Sequence, residues 1–310
     1  MLMGRLTRLV AVVFLVTLMT SFMLELVPGS PAVSIAGDYA TPEVIAAINE
    51  QYGFEKPVME RYVDWVAGVF QGDFGRSYLD RTPVFDSLIE RAPMTLQLAF
   101  GAILLALLIS IPLALFCAFR PDTFVDRVVN ALTSGLIAIP AFVTSLFFVY
   151  ALSVTLGWLP VTGWVPFTTD PVKNLRHAFI PTLALSLPAA AVFVRVLRAD
   201  LVGTLQQDFI TLARAKGLPS TPILVRHALR PSSFSLLTVA GLRLAELVGG
   251  TIVIETIFSI PGIGAYLIRA VLGGDLIVVQ GVVLFMAVAY LGINFVVDST
   301  YRLLDPRIAK

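Results

Sequence analysis

From Leu276 to Val297 the chain carries no Asp, Glu, Lys, Arg or His. A run of that length is what a helix needs to cross the roughly 30 Å hydrocarbon core of a bilayer. Five more stretches have similar length and character, near Leu6–Val27, Met94–Phe119, Val128–Leu156, Ala178–Leu197 and Phe234–Ile257. Their apolar character is continuous rather than alternating, which favours helices over barrel strands, and a helix satisfies its own backbone polar groups in lipid. Composition agrees: 57% of residues are hydrophobic and only 14% charged, where a soluble domain needs about a quarter charged to cover its surface. A soluble enzyme, a disordered chain and a secreted disulfide scaffold are excluded together. A net charge of +1 gives no global field for nucleic acid, and the lone Cys117 cannot form an intrachain disulfide. The expected fold class is an all-α polytopic membrane protein, one domain over residues 1–310 with six transmembrane helices. Pro140 allows a kink in the third span, and Pro112, Pro181 and Pro188 can bend the second and fourth.

The first run follows Arg5 and Arg8 and ends in Pro28-Gly29-Ser30-Pro31-Ala32, so a cleaved signal peptide is an alternative. The apolar core from Leu9 to Leu26 exceeds the usual signal length, and an uncleaved first helix is expected. With the amino terminus inside, one side collects Arg5, Arg8, Arg120, Arg127, Arg195, Arg198, Arg214, Lys216, Arg226, Arg230, Arg302, Arg307 and Lys310. The opposite short loops hold Lys173, Arg176 and Arg269. The positive-inside rule then places both termini in the cytoplasm.

Two regions are not simple membrane. Residues 28–93 hold ten acidic against five basic side chains and read as a solvated outer segment. Thr41 caps a short helix with Pro42 at its first position and Gly53 at its end, and a second helix after Pro57 aligns Tyr62, Trp65, Val66 and Val69 on one face. A third amphipathic stretch, Pro83 to Arg91, leads into the second span. The aromatic stripe is either an interfacial cap lying on the membrane or a docking surface for an outer partner.

The other region is residues 200–231, on the inner side. Asp208 to Lys216 reads as a short helix, acidic at its start and basic at its end, with Gly217 able to take the left-handed position that closes it. After Leu218-Pro219-Ser220, Thr221 can cap a second helix from Pro222 to Leu229 that Pro231 stops. Taken alone, this is either a basic loop held by anionic head groups or a structured contact surface.

Asp208-Phe209-Ile210-Thr211-Leu212-Ala213-Arg214-Ala215-Lys216-Gly217 followed by Arg226-His227-Ala228-Leu229-Arg230-Pro231 resembles the EAA loop of the membrane subunits of binding-protein-dependent ABC importers, in the dipeptide/oligopeptide/nickel branch. Gly72-Asp73-Phe74-Gly75-Arg76-Ser77, the run Ile254 to Gly264 and Asp305-Pro306-Arg307-Ile308 resemble the same branch, so the likeness covers essentially the whole chain. The long outer segment resembles that of the first permease subunit of such systems. Thr211-Leu212-Ala213 stands where the general motif has Glu-Ala-Ala, a departure common in this branch that removes one polar contact.

The resemblance implies a type I ABC importer transmembrane domain in a prokaryotic inner membrane that moves di- or oligopeptides by alternating access. It implies as partners a second permease, two ATPase subunits and an extracytoplasmic substrate-binding protein. Asp208, Ala213, Arg214, Ala215, Lys216, Gly217 and His227 would form the ATPase-coupling surface, the small residues permitting close approach and the charged ones standing at its rim. The same machine carrying nickel chelates or another small solute, and a secondary transporter independent of any ATPase, are the alternatives.

No G-x-x-x-x-G-K-[ST] phosphate loop occurs, so ATP and Mg are expected in the partners and no cofactor in this chain. Gly75-Arg76-Ser77 lacks the strand-to-helix setting of a serine nucleophile, and no catalytic group is expected. His177 and His227 fall on opposite faces and make no metal site. Arg243 and Glu246, three apart on the fifth span, share a helix face and are either a structural ion pair or part of the translocation path or its gate. Glu255, near a span end, is expected to be interfacial.

Overall fold

The computed structural model describes residues 2–25, 30–37 and 40–304; the Asp305–Ile308 tail and the Pro28-Gly29 turn lie outside them. Those residues are helical apart from short connections and two longer ones, residues 70–83 and 156–170. The helices are α1 (Leu2–Glu25), α2 (Pro31–Ala36), α3 (Pro42–Tyr52), α4 (Val58–Val69), α5 (Val84–Phe119), α6 (Phe124–Ala138) and α7 (Ala141–Thr155). There follow α8 (Pro171–Leu205), α9 (Asp208–Ala215), α10 (Ser220–Gly250), α11 (Ile252–Ile257), α12 (Ile263–Gly273) and α13 (Leu276–Leu304). Four of them, α5, α8, α10 and the Leu276–Val297 part of α13, are long and apolar enough to cross a membrane, and α6 with α7 makes a fifth if the bent pair is one span. In α1 the stretch Val10–Met23 is apolar but shorter.

The third expected span is not merely kinked. α6 and α7 meet at 104°. Ile139 is extended (φ −89°, ψ 123°) because the ring of Pro140 disfavours the helical region for the residue before it. The fifth span also departs from expectation. Pro231 does not stop the helix, since α10 runs unbroken from Ser220 to Gly250. A π-helical turn at Ile223–Ala228 lies just ahead of Pro231. Its wider register relieves the clash that a proline ring makes with the carbonyl four residues back, here that of His227. α10 ends at Gly250, and Ile252–Ile257 is the separate α11.

The structure divides into two compact units. The first comprises residues 1–95 and 261–291. Here the local reading holds: Thr41 caps α3 through Val44 N–H, Pro42 opens it and Gly53 closes it at φ +65°. The stripe on α4 is used internally. Tyr62 and Trp65 are buried with Leu284, against Val13, Leu18, Val66, Val69, Phe74 and Ile277. The Tyr62 hydroxyl lies 2.8 Å from Thr17 Oγ1, and Trp65 Nε1 donates to the Phe74 carbonyl at 3.3 Å. Both rings therefore bury their apolar bodies and satisfy their polar atoms, and the chain itself covers the stripe that suggested a membrane or partner contact.

The loop after α4 is held by Asp275, at the start of α13 and 2% exposed. Its carboxylate accepts from Ser77 Oγ at 2.6 Å and from the Tyr78 N–H at 3.1 Å, and Ser77 Oγ in turn accepts from the N–H groups of Leu79 and Asp80. Gly75, at φ +83°, could not be otherwise: a Cβ there would come within 2.6 Å of Ile277 Cγ1. Burial, with the Asp275 carboxylate beside it, pushes the Tyr78 phenol up to about 12. α5 begins at Val84, so the expected Pro83–Arg91 stretch is the first part of the spanning helix.

The second unit comprises residues 96–260 and 292–310. α8 is its axis, the most enclosed of the long helices, passing through Pro181 and Pro188 without a break. Phe193, Leu197 and Leu201 of α8 pack with Ala106, Ala114 and Ala118 of α5 and with Leu236 and Ala240 of α10. Small residues set the spacing where no hydrophobic force drives helices together in lipid. A Cβ at Gly101 would sit 3.2 Å from Thr182 Cγ2. Glu255 is fully buried and accepts from Thr251 Oγ1 at 2.8 Å, which replaces the interfacial placement expected from its position near a span end.

Candidate coupling site

α9 follows α8 after a two-residue break at Gln206-Gln207, and its faces divide by spacing. Ile210 and Ala213, three apart, are buried in the same core as Leu197, Leu201, Ile223 and Leu224. Phe209 and Leu212, also three apart but one position back and so turned by about 100°, are 48% and 57% exposed on the adjoining outer face. α9 is thus a short amphipathic helix whose inner stripe clamps it to α8 and α10 while its outer stripe is apolar and uncovered in this chain. Asp208 at the first turn and Arg214 in the last match the helix dipole.

Its end is fixed by Gly217, at φ +77°. The Gly217 N–H donates to the Arg214 carbonyl at 2.9 Å and the Leu218 N–H reaches the Ala213 carbonyl at 3.3 Å, closing a left-handed cap. A Cβ at Gly217 would meet nothing within 4 Å, so glycine is required there for its backbone and not for space. A groove of about 430 Å³ opens between the ends of α5 and α8 and the start of α10, with Phe119, Leu205, Ile223 and Leu224 in its wall and Arg214 along it.

Asp208, Arg214, Ala215, Lys216, Gly217 and His227 are all exposed, so the structure brings the expected coupling residues onto one accessible segment and its flank. Ala213 is the exception. It faces the chain's own core, because its place on α9 is on the Ile210 stripe. Phe209 and Leu212 are the surface residues the motif reading passed over; the signal was available, since apolar residues on both faces of an eight-residue helix cannot all be core.

A second feature went unread. Arg198, seven residues before the end of α8, donates from Nε to Asp126 Oδ1 at 2.6 Å and from Nη2 to Oδ2 at 2.5 Å. The Asp126 carboxylate also accepts from the Asp122 N–H at 3.0 Å and from Asn130 Nδ2 at 3.1 Å. With Asp126 2% and Arg198 22% exposed, this is a forked, mostly buried ion pair that fixes the last turns of α8 to the start of α6. Arg243 and Glu246 pair as expected, at 2.8 Å, but at 43% and 55% exposure they stand on the outside of this chain. Among the described residues no cluster of three or more His, Cys, Asp or Glu side chains could hold a metal.

The comparisons with known proteins bear on what such a segment serves. Residues 110–310 match the model of the binding-protein-dependent transport system inner membrane component, and residues 1–99 match that of its N-terminal region. The chain belongs to this family of ABC importer permeases. A putative peptide transport system permease protein of Brucella abortus (strain 2308) is 35% identical over 308 residues, 99% of this chain and 98% of that one. A probable peptide ABC transporter permease protein of Sinorhizobium fredii and the glutathione transport system permease protein of Escherichia coli (strain K12) are each 32% identical over 304 residues, 98% of this chain and 97% of theirs. A solved structure of inward-facing conformations of the MetNI methionine ABC transporter superposes with a TM-score of 0.58 at 20% identity, over 70% of this chain and 96% of that one. That likeness gives the permease the type I importer transmembrane fold. It is a multi-pass inner-membrane protein of the peptide-transporter family.

Proposed function

We propose that this permease carries short peptides inward by alternating access, as one of two membrane subunits driven by a pair of ATPases and fed by an extracytoplasmic binding protein. The observation that carries the reading is α9: Ile210 and Ala213 bolt it to α8 and α10, while Phe209 and Leu212 stand uncovered for a partner. A nucleotide-driven subunit seated on that face moves the two long helices with it, because the inner stripe is continuous with their core. Arg198 and Asp126 stiffen the same end of α8. The basic residues around the segment support a cytoplasmic side for it and for both termini, by the positive-inside rule.

Arg243 and Glu246 support the second permease. An exposed ion pair about 6–10 Å below the end of a spanning helix is costly against lipid, so that face of α10 meets either a homologous subunit or the water-filled path between them. The peptide substrate is supported by relatives named for peptide and glutathione transport. ATP and Mg act in the partners. Deleting the chain and following uptake of labelled di- and tripeptides tests the substrate: loss of tripeptide uptake, restored by the wild-type chain, is expected, and unchanged uptake would overturn it.

A further inference from the structure

α4 carries more apolar surface than the chain covers. Tyr62, Trp65, Val66 and Val69 form the stripe buried against α1 and α13. Met59, Val63, Ala67 and Phe70, spaced by four, four and three residues, form a second stripe. At about 100° per residue it lies on the flank next to the first. Phe70 belongs to it because the backbone at the end of α4 is still helical there, at φ −64° and ψ −17°. The second stripe is uncovered: Met59 is 50%, Val63 57% and Phe70 87% exposed. The remaining side holds Glu60 and Asp64, and Lys56 pairs with both, at 3.3 and 3.4 Å. α4 therefore has three sectors, one on the protein, one apolar and open, and one charged.

The helix it rests on shows what surrounds the open sector. α1 turns Thr17 and Ser21 inward, both buried, and turns Val10, Phe14, Leu15 and Met19 outward, each at least half exposed. Polar side chains inside and apolar ones outside mark a helix solvated by lipid. That outer face reaches α4, since the Phe14 ring packs edge-on against Tyr62 at 5.7 Å between centroids. A second copy seated on the same stripe would bring Glu60 and Asp64 against their own counterparts, and like charges repel. Water would leave a row of large apolar side chains unburied. We propose that α4 lies in the membrane–water interface, with Met59, Val63, Ala67 and Phe70 against acyl chains and Glu60 and Asp64 toward water. The charged sector is acidic and carries its own cation, so the contact is with the apolar chains and not with anionic head groups. The segment between the first two spans, solvated by composition, is thereby anchored in lipid along one flank. The proposal rests on α1 being the first span.

The test places a nitroxide on single-cysteine variants of the full-length permease in phosphatidylcholine nanodiscs; Cys117 is buried, and the wild-type chain serves as the blank. Labels on Val63→Cys and Phe70→Cys are expected to collide with oxygen and to be shielded from a water-soluble nickel chelate, as is a label on Leu15→Cys in α1. Their ratio of oxygen to chelate accessibility should be severalfold above that of Asp64→Cys. Chelate access to the Val63→Cys and Phe70→Cys labels equal to that of Asp64→Cys, with the Leu15→Cys label in lipid, overturns the proposal and leaves α1 as a span. Chelate access to Leu15→Cys as well overturns the span, and the proposal with it. Shielding that appears only when a purified substrate-binding protein is added assigns the stripe to that partner and overturns the lipid contact. A phospholipid with a photoactivatable acyl chain, irradiated with the wild-type permease, needs no variant: adducts within residues 58–70 are expected, and adducts on α1 with none on α4 count against the contact.

Discussion

Replacing Arg198 with Gln isolates the ion pair that fixes the end of α8. The substitution keeps a polar side chain but leaves the Asp126 carboxylate, 2% exposed, without its cation. Removing one partner of a buried pair typically costs about 3–5 kcal/mol, because the remaining charge stays desolvated. Two observations move the expectation to the lower end: Arg198 is 22% exposed, so water reaches the pair, and Asp126 keeps the Asp122 N–H and Asn130 as donors. A loss of about 3 kcal/mol follows, roughly 5 °C in the midpoint of thermal unfolding for a chain of 310 residues. Asp126→Asn should cost less, since the stranded guanidinium is the partner that can turn toward water. The double variant Asp126→Asn with Arg198→Gln removes both charges and should recover most of the Arg198→Gln loss. Thermal unfolding of the four proteins in detergent or nanodiscs measures the cycle. Additive losses, or an Arg198→Gln protein as stable as wild type, would refute the reasoning.

Other perturbations separate backbone, loop and titration effects. Gly217→Val should leave the permease in the membrane but cut uptake severely, since a β-branched residue at φ +77° costs at least 1–2 kcal/mol in the left-handed region, whereas Gly217→Asn should stay near wild type; reconstituted uptake decides. Asp275→Ala strands the Ser77 hydroxyl and the Tyr78 N–H, about 1–3 kcal/mol each, and should open the Gly72–Pro83 loop to protease nicking visible by mass spectrometry. Tyr78 has a folded pKa of about 12 against an ordinary 10, so the folded state holds its proton more tightly. Its contribution is complete below about pH 10 and fades as pH rises to 12, up to about 2–3 kcal/mol; wild-type stability should therefore fall relative to Tyr78→Phe over that window in parallel unfolding series.

What the sequence made legible was local. Thr41, Pro42 and Gly53 frame α3 through contacts within a few residues, and Gly217 declares its own left-handed turn. The uninterrupted Leu276–Val297 run could only be a spanning helix. What escaped depends on distant partners or on competing local preferences. The Asp126–Arg198 pair joins residues 72 apart, and nothing near either one announces the other. Pro231 is a helix breaker by local rule, yet the π-turn ahead of it lets α10 continue. Ala213 resembled a surface residue because the motif is written as a surface, but the three-residue spacing from Ile210 turns it inward. The same spacing puts Phe209 and Leu212 on the outside.

That outer face carries the account. Leu212→Asp changes a side chain that is 57% exposed and outside the buried core cluster, so the permease should fold, insert and unfold close to the wild-type temperature. Co-purification of the ATPase subunits with the Leu212→Asp permease from gently solubilised membranes is the most direct measurement. Loss of the ATPases together with loss of uptake is the predicted result; full retention of both would contradict the claim that α9 is where the motor grips the membrane helices.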